Sequence, residues 1–279
     1  MTEHTTADAP EPEPTAVPEG AAAAKAPAAP KDRRVLFAVL RWTAAVLVFG
    51  TVGAGVAYGI SRPERTDVPG LSTESDGRWA YPALARPTLP PGAPLPFSKE
   101  NRDGIHYAGL TQLLLPAPAG STPDATLKLE KDSEVTADTF LEEYETEPRD
   151  SLRKDFAADT PREIVARGWT MPDGTRTRVY LLRFHSAGFT SSVHACPGVL
   201  KGVNSLPLDV DWTKASTSLP TSENKIAVHK EGEPVGDEQT AVGCIQSGDI
   251  EAVILQTRKG GVASVPLHQT VILQHQLLG

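Results

Sequence analysis

Hydrophobic and polar positions are distributed very unevenly along this chain. From Trp42 to Ile60 (WTAAVLVFGTVGAGVAYGI) the sequence runs without a charge, whereas downstream the apolar positions recur at strand or helix spacing. A helix over such a run is just under about 30 Å long, which matches the hydrocarbon thickness of a bilayer. Extending it back to Val35 takes in Arg41, whose stem can carry its charge to the headgroups. The pattern therefore predicts a transmembrane helix over 35–60. Lys31, Arg33, Arg34 and Arg41 lie on its N-terminal side, while Arg62 and Arg65 on the other side alternate with Glu64 and Asp67. That bias places the N terminus in the cytoplasm and residue 61 onward outside it. Trp42 and Tyr58 stand near opposite ends, where amphipathic rings favour the interface. Thr51, Gly55 and Gly59 recur every four residues, either as a face for pairing with another helix or as the glycine content usual in membrane spans. A cleavable signal peptide also begins with basic residues before an apolar stretch. Here the stretch is long, a tail of over thirty residues precedes it, and no A-x-A site closes it.

Beyond residue 100 the pattern changes to that of a folded domain. Thr136 reads as an N-cap, with Asp138 in the first turn and Val135 and Phe140 spaced as a hydrophobic staple. Phe140, Leu141 and Tyr144 give one apolar face; Glu147-Pro148 ends or restarts the helix, and Leu152 and Phe156 extend the stripe to Ala158. Ile164 to Met171 and Thr175 to Phe184, joined by Pro172-Asp173-Gly174, predict a β-hairpin. A short helix is expected over 186–194 and a loop-rich stretch over 198–219. Strands follow over 225–229, 240–246 and 250–257, the last two joined by Ser247-Gly248-Asp249. Pro266 to Leu278 predicts a terminal helix with proline in its first position. The fold class expected is α+β: one transmembrane helix, then a mainly antiparallel sheet with helices packed on one face.

Composition sets the boundaries. Of 25 prolines, many fall in the first thirty residues, which offer little to bury and read as a disordered cytoplasmic tail over 1–34. Others fall between Arg62 and Pro96, so 61–99 reads as a proline-rich spacer before an extracytoplasmic domain over 100–279, with Trp79 and Tyr81 interrupting it and able to pack part of it back onto the domain. Net charge is −2 in the tail, +1 in the span and −7 over 61–279. An acidic exterior excludes nucleic acid as a natural partner, because phosphate binding needs a basic face.

Candidate chemistry is sparse. Cys196 and Cys244 are the only two cysteines, and in an oxidising compartment an isolated pair reads as a disulfide. Closing that loop restricts the unfolded chain by about 4 kcal/mol in the entropy model. The rival, a metal site combining them with His194 and another histidine, lacks the usual ligand spacing. Arg176 and Arg178 share a face of the second hairpin strand, and Arg167 lies on the first. Together they form a candidate patch for anionic lipid headgroups or cell-wall polymers, or an ordinary solvated face. No G-x-S-x-G, S-x-x-K or H-E-x-x-H motif occurs. The remaining histidines, His4, His106, His185, His229, His268 and His275, are scattered. Glu142, Glu143, Glu145 and Glu147 read as a helix surface rather than a glycosidase pair. No catalytic residue, metal or cofactor is expected from the motifs.

The segments RRVLFAVLRWTAAVLVFG, YGISRPERTDVPGL, ARGWTMPDGTRTRVYLLRF and VPLHQTVILQHQLLG together resemble a family of uncharacterised single-pass membrane proteins of actinobacteria. The resemblance runs from about residue 33 and implies a membrane anchor and an extracytoplasmic domain. It supplies no functional residues, and the stretch 186–200 with Cys196 is less typical of it. In layout only, the domain is similar to sensor domains of mycobacterial receptor kinases, and a shared layout does not fix function. The expectation is a tethered domain that contacts the lipid bilayer and binds a cell-envelope polymer, another envelope ligand or a membrane protein, without catalysis. The alternative is an envelope hydrolase whose catalytic groups converge only in the fold.

Overall fold

The computed structural model describes residues 33–61, 75–192, 195–216 and 225–279. Most of the expected tail, residues 62–74 of the expected spacer, and His194 lie outside the described residues. The chain divides into two compact units, Met1–Thr73 and Glu74–Gly279.

In the first unit, α1 spans Arg34–Ser61, and its stretch Arg34–Gly59 is long and apolar enough to cross a membrane. Its large apolar side chains are exposed all round, Leu36, Phe37, Trp42, Val46 and Phe49 among them. A helix that is apolar on every face is matched to a hydrocarbon environment rather than to water. Thr51 turns its hydroxyl back to the Leu47 carbonyl at 2.8 Å, which satisfies the only hydroxyl between Ala44 and Ala57 within the helix itself. No heavy atom lies within 4 Å of where a Cβ would stand on Gly55 or Gly59, so that stripe is open.

The second unit is built on one six-stranded antiparallel sheet. Its elements are α2 (Leu110–Leu113), β1 (Thr122–Pro123), α3 (Ala137–Leu141), α4 (Thr146–Ala158), β2 (Glu163–Thr170), β3 (Arg176–Arg183) and α5 (Ala187–Ser192). They continue with α6 (Val210–Ser216), β4 (Lys225–Lys230), β5 (Glu238–Ser247), β6 (Ile250–Lys259) and α7 (Ser264–Leu278). The strand order is β1-β2-β3-β6-β5-β4. Two local units meet at its centre: the β2–β3 hairpin and the β4–β5–β6 meander, joined by β3 against β6 from Arg176↔Thr257 to Arg183↔Ile250.

Both expected hairpins form. Asp173 Oδ1 accepts the Thr175 N–H at 2.9 Å in the first turn. In the second, Gly248 has φ +51°, and the Gly104 backbone fills the place of a Cβ, so the turn has room for glycine alone. The N-cap at Thr136 is present, its side chain accepting from Thr139 N. The helix breaks at Glu142–Glu145, and Glu147-Pro148 lies in the restarted first turn of α4. There the missing proline N–H costs nothing, because the first four N–H groups of a helix have no partner. The same reason lets α7 begin at Ser264, two residues ahead of Pro266. The element α6 lies inside the stretch expected to be loop; Asp209 Oδ1 caps it by accepting from Trp212 N at 3.0 Å.

Two expectations need correction. The helices do not share one face. Strand side chains alternate between two buried layers: Val165, Trp169, Val179, Leu181, Ala252 and Ile254 pack with α2 and α7. Ala166, Tyr180, Leu182, Val253 and Leu255 pack with α3 and α4 on the other side. The central strands are thus apolar on both faces, a pattern that reads as an uninterrupted hydrophobic run. The domain also begins at Glu74 rather than near residue 100. Trp79, Tyr81, Leu84 and Leu89 pack on the α7 layer, with Tyr81 Oη 2.8 Å from Thr270 Oγ1 and Trp79 bonded through its backbone to Gln269. Proline makes this stretch extended without making it a spacer.

Candidate functional site

The side chains of β3 that face the α3–α4 layer run Leu182, Tyr180, Arg178 and Arg176. Across the sheet the apolar character fades in the same direction, from Tyr180↔Val253 through Arg178↔Leu255 to Arg176↔Thr257, with Thr240 of β5 opposite Thr257. The result is a polar end to an otherwise apolar surface. An open recess of about 90 Å³ lies there, lined among others by Arg176, Arg178, Thr240, Thr257, Glu143 and Lys201.

Arg178 holds the base of this recess. Its guanidinium donates to Asp124 at 2.7 Å, to Glu143 at 2.6 Å and to Thr126 Oγ1 at 2.6 Å. Tyr180 Oη donates to the same Glu143 oxygen at 2.5 Å. Burial works against the arginine's charge, but the Asp124 and Glu143 partners outweigh it and raise its pKa. Asp124 is itself desolvated, yet its bonds from Thr126 and Arg178 hold its carboxyl below the ordinary value. Burial first, and then the Glu143 charge, push the Tyr180 phenol upward. The wall opposite is a chain segment strapped to this network: Lys201 N donates to Glu143 O at 2.9 Å and Glu145 N to Val199 O at 3.0 Å. Gly202 N donates to Glu145 Oε1 at 2.8 Å. Arg178 is neutralised by its two carboxylates, so Arg176 and Lys201 supply the charge that faces the opening.

Of the three arginines expected in one patch, the structure brings two together. Arg167 points through the opposite face of the sheet and donates to the Leu114 and Leu115 carbonyls at 3.0 and 2.7 Å; its burial there lowers its pKa. Register explains the separation, since residue 167 shares its parity with the buried Val165 and Trp169. Lys201, the cation that does join Arg176 and Arg178, lies in a loop without periodicity, so no sequence signal marked it. Glu143 was legible only as one of several helix-surface acids.

Cys196 and Cys244 form a disulfide with a Cα–Cα distance of 5.7 Å, pinning the start of the segment 195–203 to β5. Among the described residues the histidines do not converge. His106 is buried, its Nδ1 2.7 Å from Asp249 Oδ1 and its Nε2 2.7 Å from Leu278 O. Both ring nitrogens therefore face acceptors, and the group is a strut between the β5–β6 turn and the end of α7. His229 Nδ1 bonds the Leu206 carbonyl, His185 lies edge-on to Phe189, and His268 stacks on Trp212 at 4.5 Å. Burial lowers the His268 pKa, against the opposing pull of Asp209. His275, on the same helix as His268, is buried. Among the described residues no group of three or more His, Cys, Asp or Glu is placed to hold a metal ion.

A second recess, of about 200 Å³, is apolar and lies against α7, lined by residues that include Leu89, Leu95, Ala108, Leu113 and Leu277. No protein-family model matches this chain, and no curated protein matches it in sequence.

Proposed function

We propose that this protein is anchored in the cell membrane by α1, with its N terminus in the cytoplasm and the unit from Glu74 outside. There it acts as a binding module for a cell-envelope ligand or a membrane protein partner, without catalysis. It belongs, in this reading, with the actinobacterial single-pass proteins it resembles. The anchor reading is supported by a helix apolar on every face and basic residues weighted to its N-terminal side; the paired cysteines fit an oxidising space.

The observation that carries the binding reading is the recess where Arg176 and Lys201 stand over the Arg178–Glu143–Asp124 network. Fixed groups at its base and free cations at its mouth suit an anionic partner, such as a phosphate- or carboxylate-bearing envelope polymer. The hydroxyls of Thr240 and Thr257 add orienting hydrogen-bond capacity. Photo-crosslinking in intact cells tests this: a crosslinker replacing Lys201 is expected to yield adducts that an added Arg176→Ala substitution reduces. Adducts no more abundant than those from a crosslinker at exposed Lys259 would refute the binding role of this recess.

A further inference from the structure

The buried acid Glu251 has no place in the anion-facing recess. It sits on β6 under the segment that carries Cys196, 7 % exposed, and its carboxylate accepts the Cys196 backbone N–H. Among the described residues its Oε2 is one of ten buried side-chain polar atoms with no hydrogen-bond partner, and the only carboxylate oxygen of the ten. Buried polar atoms are normally paired, so a carboxyl oxygen without a partner, which carries the O–H while Glu251 is protonated, calls for a partner supplied in another state of the molecule. The register places that partner. Glu251 lies opposite Gln246 and Val253 opposite Cys244, so Cys244 is the diagonal cross-strand neighbour of Glu251 on the same face, within reach of a long side chain. The carboxyl thus adjoins both halves of the disulfide, through the backbone of Cys196 and across the sheet from Cys244. Both cysteines are themselves partly open to solvent.

We infer that the Cys196–Cys244 bond is a site of thiol–disulfide exchange with an external dithiol, and that Glu251 delivers the proton to the cysteine released. A thiolate of the dithiol attacks Cys244 Sγ; the S–S bond breaks, and Cys196 leaves with the electron pair and takes the Glu251 proton. The second thiolate of the dithiol then attacks its own sulfur in the mixed disulfide, releasing Cys244, which takes a proton from solvent. Two electrons pass to the cysteine pair and the dithiol departs as a disulfide, while the Glu251 carboxylate regains its proton from water. The reduced state satisfies the groups left over in the oxidised one. Cys196 Sγ lies 3.8 Å from the Gly243 carbonyl, an acceptor for its thiol, and the reprotonated Glu251 faces thiol sulfurs that can accept its O–H.

Acid strength fits this role. Burial lifts the Glu251 carboxyl to about 8, with the Cys196 N–H pulling the other way, and an ordinary thiol titrates near about 8.5. Donor and acceptor so matched exchange a proton without a large uphill step. The titratable groups around it are Tyr144, from the loop between α3 and α4, and beyond it Tyr180 of β3 and Glu143. Burial first, and then nearby carboxylates, push both phenols upward, which keeps them neutral where Glu251 titrates.

The test uses the full-length protein in detergent micelles, with dithiothreitol as the dithiol. Its rate of disulfide reduction, referred to dithiothreitol thiolate, is followed from pH 6.5 to 9.5. For the unsubstituted protein the rate is expected to be level at low pH and to fall about tenfold through pH 8 as Glu251 loses its proton. Glu251→Gln is expected to be about tenfold slower at pH 7 and to lack the step. A profile with no break near pH 8, equal rates for the two proteins, or reduction only after unfolding would overturn the inference. If Glu251→Gln does not fold, the profile of the unsubstituted protein decides alone.

Discussion

At the scale of single residues, two buried acids stand in contrast, Asp249 with its hydrogen bonds met and Glu251 with one carboxyl oxygen left without a partner among the described residues. His106 and Asp249 are each about 1 % exposed at the side chain. The same Asp249 oxygen also takes the His106 backbone N–H at 3.0 Å, so three donors and acceptors close on one another where the turn, the loop and α7 meet. Glu251 is the contrasting case. Its carboxyl is raised from 4.5 to about 8, so between those values the folded protein retains a proton that the unfolded chain has released. Stability that is present in full below pH 4.5 is therefore lost as pH rises to about 8, and is level above that. Thermal unfolding across this range should show the unsubstituted protein losing ground steadily to Glu251→Gln as the pH rises. A constant gap between the two would mean that Glu251 titrates alike in both states. None of this was legible in the sequence, where Glu251 is one acid in a strand. Its significance comes from the residues of three separate segments that close over it.

At the scale of elements, strands and turns were the most legible parts and layering the least. Proline, aspartate and glycine at the β2–β3 turn and glycine at the β5–β6 turn announce their geometry locally, and Thr136 announces a cap. Which helix covers which sheet face is decided by tertiary packing. The runs VYLL in β3 and AVIL in β6 carry the relevant signal, since strands apolar at successive positions need cover on both sides. Gly243 shows how closely α7 is seated: a Cβ there would collide with Val271 Cγ2. Gly243→Ala is therefore expected to destabilise the protein by about 1–3 kcal/mol, read as a lowered unfolding midpoint, because the helix must back away from β5. An unchanged midpoint would show that the contact between α7 and the sheet yields without cost. The helix α6 escaped notice because it is short and its apolar residues, Val210 and Trp212, lack a helical repeat long enough to register. Trp212 instead finds its partner far along the chain, in His268.

At the scale of the whole molecule, the sequence speaks most clearly about the long apolar helix and least about the recess. The apolar run needs only length and composition to be recognised. The recess around Arg178 needs Asp124, Glu143, Arg176 and Lys201 to be brought together from four segments, which no local pattern can forecast. Alternation put Arg176 and Arg178 on one face, but the place of Arg167 depended on which face of β2 was turned to α7. The central claim is that α1 spans the membrane and holds the unit from Glu74 outside the cytoplasm. Single cysteines placed at Ser205, which is exposed, and at Thr6 test it with a membrane-impermeant thiol reagent on intact cells, since the two native cysteines are paired. The account predicts that Ser205→Cys is labelled from outside and Thr6→Cys only after the cells are opened; the reverse pattern, or labelling of neither in intact cells, would contradict it.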